Sequence, residues 1–198
     1  RLGSGDTPGK FEYSSVGSHL LAVIPVQSTG RSVLDYARAK VFDPLGIVTR
    51  PSAAFSGSLL SVDANGNGNK EYLRRYDQAG FTWPVDPQGN QVGFDMLKLR
   101  PADLATLGQV YLDGGRWHGR QIIPAAWVHG STTQEVVAND TVEGYGYQWW
   151  VTRILGDPAP FALGSGGQMV MLIPNRQMVV VVCSAVGSSP ADPGLDAH

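Results

Sequence analysis

The stretch QMVMLIPNRQMVVVVC, residues 168–183, decides the fold class. Gln168 to Ile173 and Met178 to Ser184 are rich in branched and apolar side chains, which suit a pleated, half-buried surface. Pro174-Asn175-Arg176-Gln177 lies between them, with a proline that presets φ and an asparagine that tolerates a tight turn. The two runs are therefore predicted to fold back as an antiparallel hairpin. Met178 to Cys183 is apolar without alternation, which predicts a strand covered on both faces, with helices on each side of the sheet. Tyr145 to Val151 supplies a third strand of aromatic and branched residues. The expected class is α/β (α+β), an antiparallel β-sheet flanked by helices.

Upstream of the hairpin the periodicity becomes helical. Val16 to Gln27 reads as a helix that Pro25 kinks or shortens. Ser32 and Asp35 resemble a capping box, and Val33, Tyr36, Ala37 and Val41 form a stripe that ends at Asp43-Pro44-Leu45-Gly46. Thr49 to Met96 is broken by Gly, Asn and Pro clusters and is expected to form long loops with a few strands. Pro101 suits a first helical position and Asp103 the positive end of the dipole, with Leu104, Leu107, Val110 and Tyr111 on one face. Arg116 to Ile123 reads as a hairpin turning at His118-Gly119, followed by a short helix that Pro124 starts and Trp127 anchors.

With 198 residues, 42% apolar and 16% charged, the chain can bury about 70% of its unfolded surface and needs no disulfide staples. Its single cysteine, Cys183, is expected as a small core residue. Residues 1–186 are expected to form the domain and 187–198 a polar tail. Fifteen Lys plus Arg against seventeen Asp plus Glu, a net charge of -2, provides no basic footprint for nucleic acid or an anionic membrane. The longest apolar runs, Leu20 to Val26 and Met178 to Cys183, fall far short of the ~20 residues that span a bilayer.

Several motifs lose on inspection. Asp63-Ala64-Asn65-Gly66-Asn67-Gly68 matches the start of a calcium loop, but its twelfth position is Arg74 where a bidentate Glu belongs, so an Asn-Gly turn is the better reading. His19, His118, His129 and His198 have no metal spacing, and His19 in its apolar helix reads as a hydrogen-bonded boundary residue. Gly164-Ser165-Gly166-Gly167 has no following Lys or helix to make it a phosphate loop. No metal or cofactor is expected. Neither G-x-S-x-G nor S-x-x-K occurs: the residues three before Lys10, Lys40, Lys70 and Lys98 are Thr7, Ala37, Asn67 and Asp95.

Separated stretches nonetheless resemble one family, the β-lactamase and penicillin-recognising serine hydrolases, near class C β-lactamases and 6-aminohexanoate-dimer hydrolases. Pro8-Gly9-Lys10-Phe11-Glu12-Tyr13-Ser14-Ser15 is similar to the family's P-G-x-x-F-x-Y-S-N. Leu20-Leu21, Thr29-Gly30, Asp43 to Ile47, Leu99 to Ala105 and Tyr111 to Gly115 follow in the family's order. Gly144 to Trp150 and Gly164 to Pro174 are similar to its cleft-lining strands. The resemblance implies a β-lactamase/transpeptidase-like fold, incomplete at the N-terminus, with the S-x-x-K serine in a segment preceding Arg1.

The resemblance further implies acyl transfer, in which the serine attacks an ester or amide carbonyl, lysine and tyrosine handle the proton, and backbone N–H groups hold the oxyanion. Tyr13 is the implied proton carrier. Ser15 stands where the family has Asn, and Gly164-Ser165-Gly166 near where it has K-T-G or a His variant, so a charged β-lactam is a poorer expectation than a small uncharged ester or amide. Gly166, Gly167 and Gln168 are candidate oxyanion donors. Trp83, Tyr145, Trp149 and Trp150 are candidate pocket walls. Alone, the chain is expected to be inert, and its unpaired sheet edge to self-associate or pair with the missing N-terminal segment. The rival expectation is a non-catalytic binding or structural module of the same fold.

Overall fold

A computed structural model describes residues 11–53, 70–138, 144–164 and 166–184. The loop of residues 63–68, the tail 187–198 and Ser165 lie outside the described residues.

Helix α1 (Ser15–Thr29) starts at Ser14, whose Oγ accepts the Gly17 N–H at 3.1 Å, and ends at Gly30, left-handed at φ 65. It runs four residues past Pro25, two beyond the expected end at Gln27, so the proline does not shorten it. Pro25 removes one N–H, but its carbonyl accepts from Ser28 Oγ at 3.2 Å and Thr29 Oγ1 at 2.6 Å, and these bonds with the glycine cap hold the last turn. Helix α2 (Val33–Ala37) has the expected reciprocal cap: Ser32 Oγ accepts the Asp35 N–H and donates to Asp35 Oδ2. A π-type turn, Arg38–Phe42, leads into α3 (Asp43–Leu45), closed by Gly46. Phe42, Leu45, Ile47, Phe81 and Val110 form a buried core, with Trp83, Leu97 and Leu107 packed around it.

The weak middle stretch holds one helix that periodicity did not reveal, α4 (Lys70–Gln78). Its residues are strong helix formers, but charge dominates them and turn residues crowd them upstream. The expected strands shrink to two bridges, Thr82↔Lys98 and Val85↔Gln91. Helix α5 (Pro101–Leu112) forms as expected, with Asp103 gripping the Arg100 guanidinium at 2.8 Å through both carboxylate oxygens. The hairpin β1 (Arg116–Trp117) and β2 (Arg120–Gln121) turns at His118 and Gly119. In α6 (Ala125–Thr132) the buried positions are Val128 and Ser131, while Trp127 is 52% exposed and packs on Tyr147, so it is no anchor.

An antiparallel meander completes the fold: β3 (Val136–Val137), β4 (Gly144–Tyr145), β5 (Trp150–Ile154), β6 (Asp157–Gly164), β7 (Gln168–Ile173) and β8 (Met178–Val182), adjacent in that order. The β7–β8 hairpin turns at Pro174–Arg176 as expected. Strand β6, the longest, escaped notice because it contains Pro158 and Pro160. Its pairing to β7 begins at Phe161, so both prolines fall where β6 is paired to β5 alone. Helix α5 packs along β7 and β8, with Gly108 against Val179. The double coverage expected of β8 is incomplete among the described residues: Val179 to Val181 are half-buried, Met178 and Val182 are exposed, and Cys183 is exposed rather than in the core. An all-apolar run reports the surface a strand can bury, not the partner that buries it.

Candidate active site

Tyr13 sits one residue before the α1 cap, with its ring stacked on Trp150 at 5.6 Å and 28°. Tyr145 meets it edge-on at 6.2 Å, and Phe11 closes the group at 4.8 Å from Tyr145 and 6.0 Å from Trp150. Tyr145 and Trp150 are cross-strand partners of β4 and β5, so a sheet pair forms the platform for a chain that has not yet become helix. The two phenols differ in environment: Tyr13 is 45% exposed and Tyr145 only 8%. Burial, and then the neighbouring Tyr13, pushes the Tyr145 phenol up to about 12. Tyr145 therefore stays neutral at physiological pH and Tyr13 is the accessible phenol.

Three contacts fix α1, and with it Tyr13. Buried Ser18 donates its hydroxyl to Gln148 Oε1 at 3.0 Å. His19 Nδ1 accepts the Gly93 N–H at 3.2 Å, which leaves the proton on Nε2 to bond Asp86 Oδ2 at 3.1 Å. His19 is thus the hydrogen-bonded residue expected of it, with both ring nitrogens occupied. Burial alone would raise the Asp86 carboxyl, but hydrogen bonds from the Asn90 side chain and backbone, from His19 and from the Gln88 backbone outweigh it and hold it below the usual range. Finally, Gly93 lies so close to α1 that a Cβ there would stand 2.6 Å from Ser18 O.

The meander brings the β4–β5 turn, residues 146–149, and the β6–β7 turn, residues 164–168, to one end of the sheet. Phe161 is opposite both Trp150 and Met171, so Gly164 lies three residues, about 10 Å, further along β6. Gly166 and Gly167 are exposed at φ 80 and 82, a conformation suited to glycine. The Gly167 N–H bonds Gly164 O at 3.2 Å, and the half-buried Gln168 donates its amide to Ser184 O at 3.4 Å. Ser15, the first residue of α1, is exposed beside Tyr13 in sequence.

The remaining aromatic candidates part company. Trp149 faces α5, tilted on Tyr111 at 4.8 Å, whereas its neighbour Trp150 faces Tyr13. Trp83 donates its indole N–H to Val92 O at 2.8 Å and packs on Phe42, within the other core. Phe11 and Gln148 join the Tyr13 neighbourhood without having been singled out. Phe11 lies two residues before Tyr13, a spacing that brings both side chains to one side of an extended segment; Gln148 carried no local signal. Among the described residues no group of three or more His, Cys, Asp or Glu could hold a metal ion. Among them, too, no helix is long and apolar enough to cross a membrane.

A family model described as Beta-lactamase matches residues 5–198. The chain belongs to the Beta-lactamase family. Among solved structures, a Bacillus anthracis protein assigned as a 6-aminohexanoate-dimer hydrolase matches with a TM-score of 0.65 at 21% identity, over 88% of this chain and 38% of its own. A D-stereospecific amidohydrolase from Streptomyces sp. matches with a TM-score of 0.54 at 17% identity, over 89% of this chain and 51% of its own. At such identities the likeness is one of fold. The chain therefore spans between about a third and a half of the length of these two proteins. Comparison with curated proteins gives no significant match. Helices with an antiparallel sheet are the expected architecture of a β-lactamase-fold hydrolase.

Proposed function

We propose that this chain is the tyrosine-bearing part of a serine hydrolase that cleaves a small ester or amide through an acyl-enzyme, with the nucleophilic serine and its lysine supplied by polypeptide outside the chain. Family membership supports a hydrolase as the parent protein. The observation that carries the finer reading is Tyr13, the exposed phenol of an otherwise closed aromatic group, stacked on Trp150 at the start of α1. In this role Tyr13 and the lysine supplied with the nucleophile relay the serine proton as attack begins and return it to the leaving group, while N–H groups of the glycine turn other than that of Gly167, which bonds Gly164 O, hold the oxyanion. The missing S-x-x-K supports an external nucleophile, as does the apolar face that α1 leaves in solvent, Val16 at 71%, Leu20 at 57%, Leu21 at 53% and Ile24 at 59% exposed. That face suits pairing with the rest of the protein, or self-association without it.

The test is a chromogenic short-chain ester given to the full-length protein and to this chain. Turnover by the full-length protein alone is expected, with a fluorophosphonate adduct on a serine outside residues 1–198. Equal turnover by the isolated chain, or an adduct on one of its own serines, refutes the division of roles. A parent sequence without S-x-x-K would favour a non-catalytic module, to which the replacement of the motif's Asn by Ser15 also points.

A further inference from the structure

We propose that Gln148 is a substrate-binding residue whose side-chain amide donates a hydrogen bond to an amide carbonyl in the acyl chain of a bound substrate, beyond the scissile carbonyl; this rests on the hydrolase reading above. Gln148 lies in the turn between β4 and β5 with φ 66, a left-handed conformation that glycine adopts freely and glutamine does not. The turn cannot slide to relieve this. The Gly146 N–H bonds Trp149 O at 2.7 Å, the Tyr147 N–H bonds Ser131 O at 3.1 Å, and a Cβ on Gly146 would collide with the Ser131 carbonyl. A strained residue in a clamped turn is the kind of outlier that gathers at ligand sites.

The amide of Gln148 is also oriented. Ser18, buried on α1, donates to Oε1 at 3.0 Å, which fixes the amide plane and leaves Nε2 as a donor with no partner among the described residues. Gln148 itself is exposed. Ser18 is one helical turn, about 6 Å, from the cap that follows Tyr13, and Trp150, two residues from Gln148, carries the Tyr13 ring. An exposed residue with an unpartnered side-chain N–H donor among the described residues thus stands two positions from the Trp150 that carries the Tyr13 ring, at the same end of the sheet as the glycine turn. It supplies the kind of group missing at Ser15, where the family motif has an amide.

The experiment compares 4-nitrophenyl acetate with 4-nitrophenyl N-acetylglycinate, which adds one acyl-side amide, in the full-length protein. Gln148→Gly is expected to lower the ratio of kcat/KM for the second ester over the first by about fivefold, the worth of one neutral hydrogen bond. Its Tm is expected to stay near that of wild type, since glycine relaxes the turn while the buried Ser18 hydroxyl loses its acceptor. Ser18→Ala, which frees the amide, should lower the same ratio about twofold. An unchanged ratio, or a Tm lowered by several degrees with both esters equally affected, overturns the proposal and makes Gln148 a structural residue. If wild type hydrolyses neither ester the hydrolase reading fails, and Gln148 is still judged by NMR: its side-chain N–H resonances should shift saturably with N-acetylglycinamide, and no shift refutes it.

Discussion

Replacing Gly93 with alanine tests whether the Tyr13 helix is held by backbone contact rather than by its own propensity. The new Cβ would stand 2.6 Å from Ser18 O, 2.7 Å from the Ala22 methyl and 3.0 Å from His19 Cα, so two of the three obstacles are helix backbone and cannot rotate away. To reach the 3.4 Å of ordinary contact, α1 must retreat by about 0.8 Å. That stretches the Gly93 N–H bond to His19 Nδ1 from 3.2 Å to beyond useful range. Overpacking costs about 1–3 kcal/mol and the lost bond about 0.5–1.5, against about 0.4–1 regained from the stiffer unfolded chain. A net loss of about 2 kcal/mol is expected, which in a domain of this size lowers Tm by roughly 4–8 °C in a circular-dichroism melt. Gly80→Ala is the control, because a Cβ there meets nothing within 4 Å, and it should be neutral or slightly stabilising. Equal melting temperatures for Gly93→Ala and Gly80→Ala would refute the clamp.

Three further outcomes are expected. In a spectrophotometric titration at high pH one tyrosine should ionise late, near 12, and vanish in Tyr145→Phe; since its folded value lies above the ordinary 10.0, its contribution to stability is complete below pH 10 and lost as pH rises through about 12. Tyr13→Phe should bring that late phase to lower pH. Asp86 titrates below its ordinary 3.8 when folded, so its contribution is present above that pH and disappears as pH falls below it; Asp86→Asn should flatten the acid limb of a Tm-against-pH curve and lower Tm at neutral pH. Gly108→Ala should destabilise by about 1–3 kcal/mol in urea titration despite the better helix former, because its Cβ would fall 2.5 Å from Val179 Cγ1, and adding Val179→Ala should recover part of the loss.

Local chemistry settled much of the fold in advance. The capping pair Ser32 and Asp35, Pro101 at a helix start, the His118-Gly119 hairpin and the turn after Ile173 are decided by groups a few residues apart, so their sequence patterns translate directly into structure. The Tyr13 motif and the order of the landmarks around it likewise point to the family from sequence alone. What the sequence left open were outcomes of distant contact. Strand β6 exists because β5 and β7 pair with it around its prolines, α1 continues past Pro25 because its last turn finds other bonds, and Cys183 is exposed because nothing in the described chain covers it. Only tertiary structure could set Trp150 under Tyr13 while turning Trp149 and Trp83 elsewhere, or join Ser18 to Gln148 across 130 positions of sequence. Side-chain alternation says that neighbours in a strand face opposite ways; which face meets the Tyr13 ring depends on how the sheet and helix dock, and no residue carries that by itself.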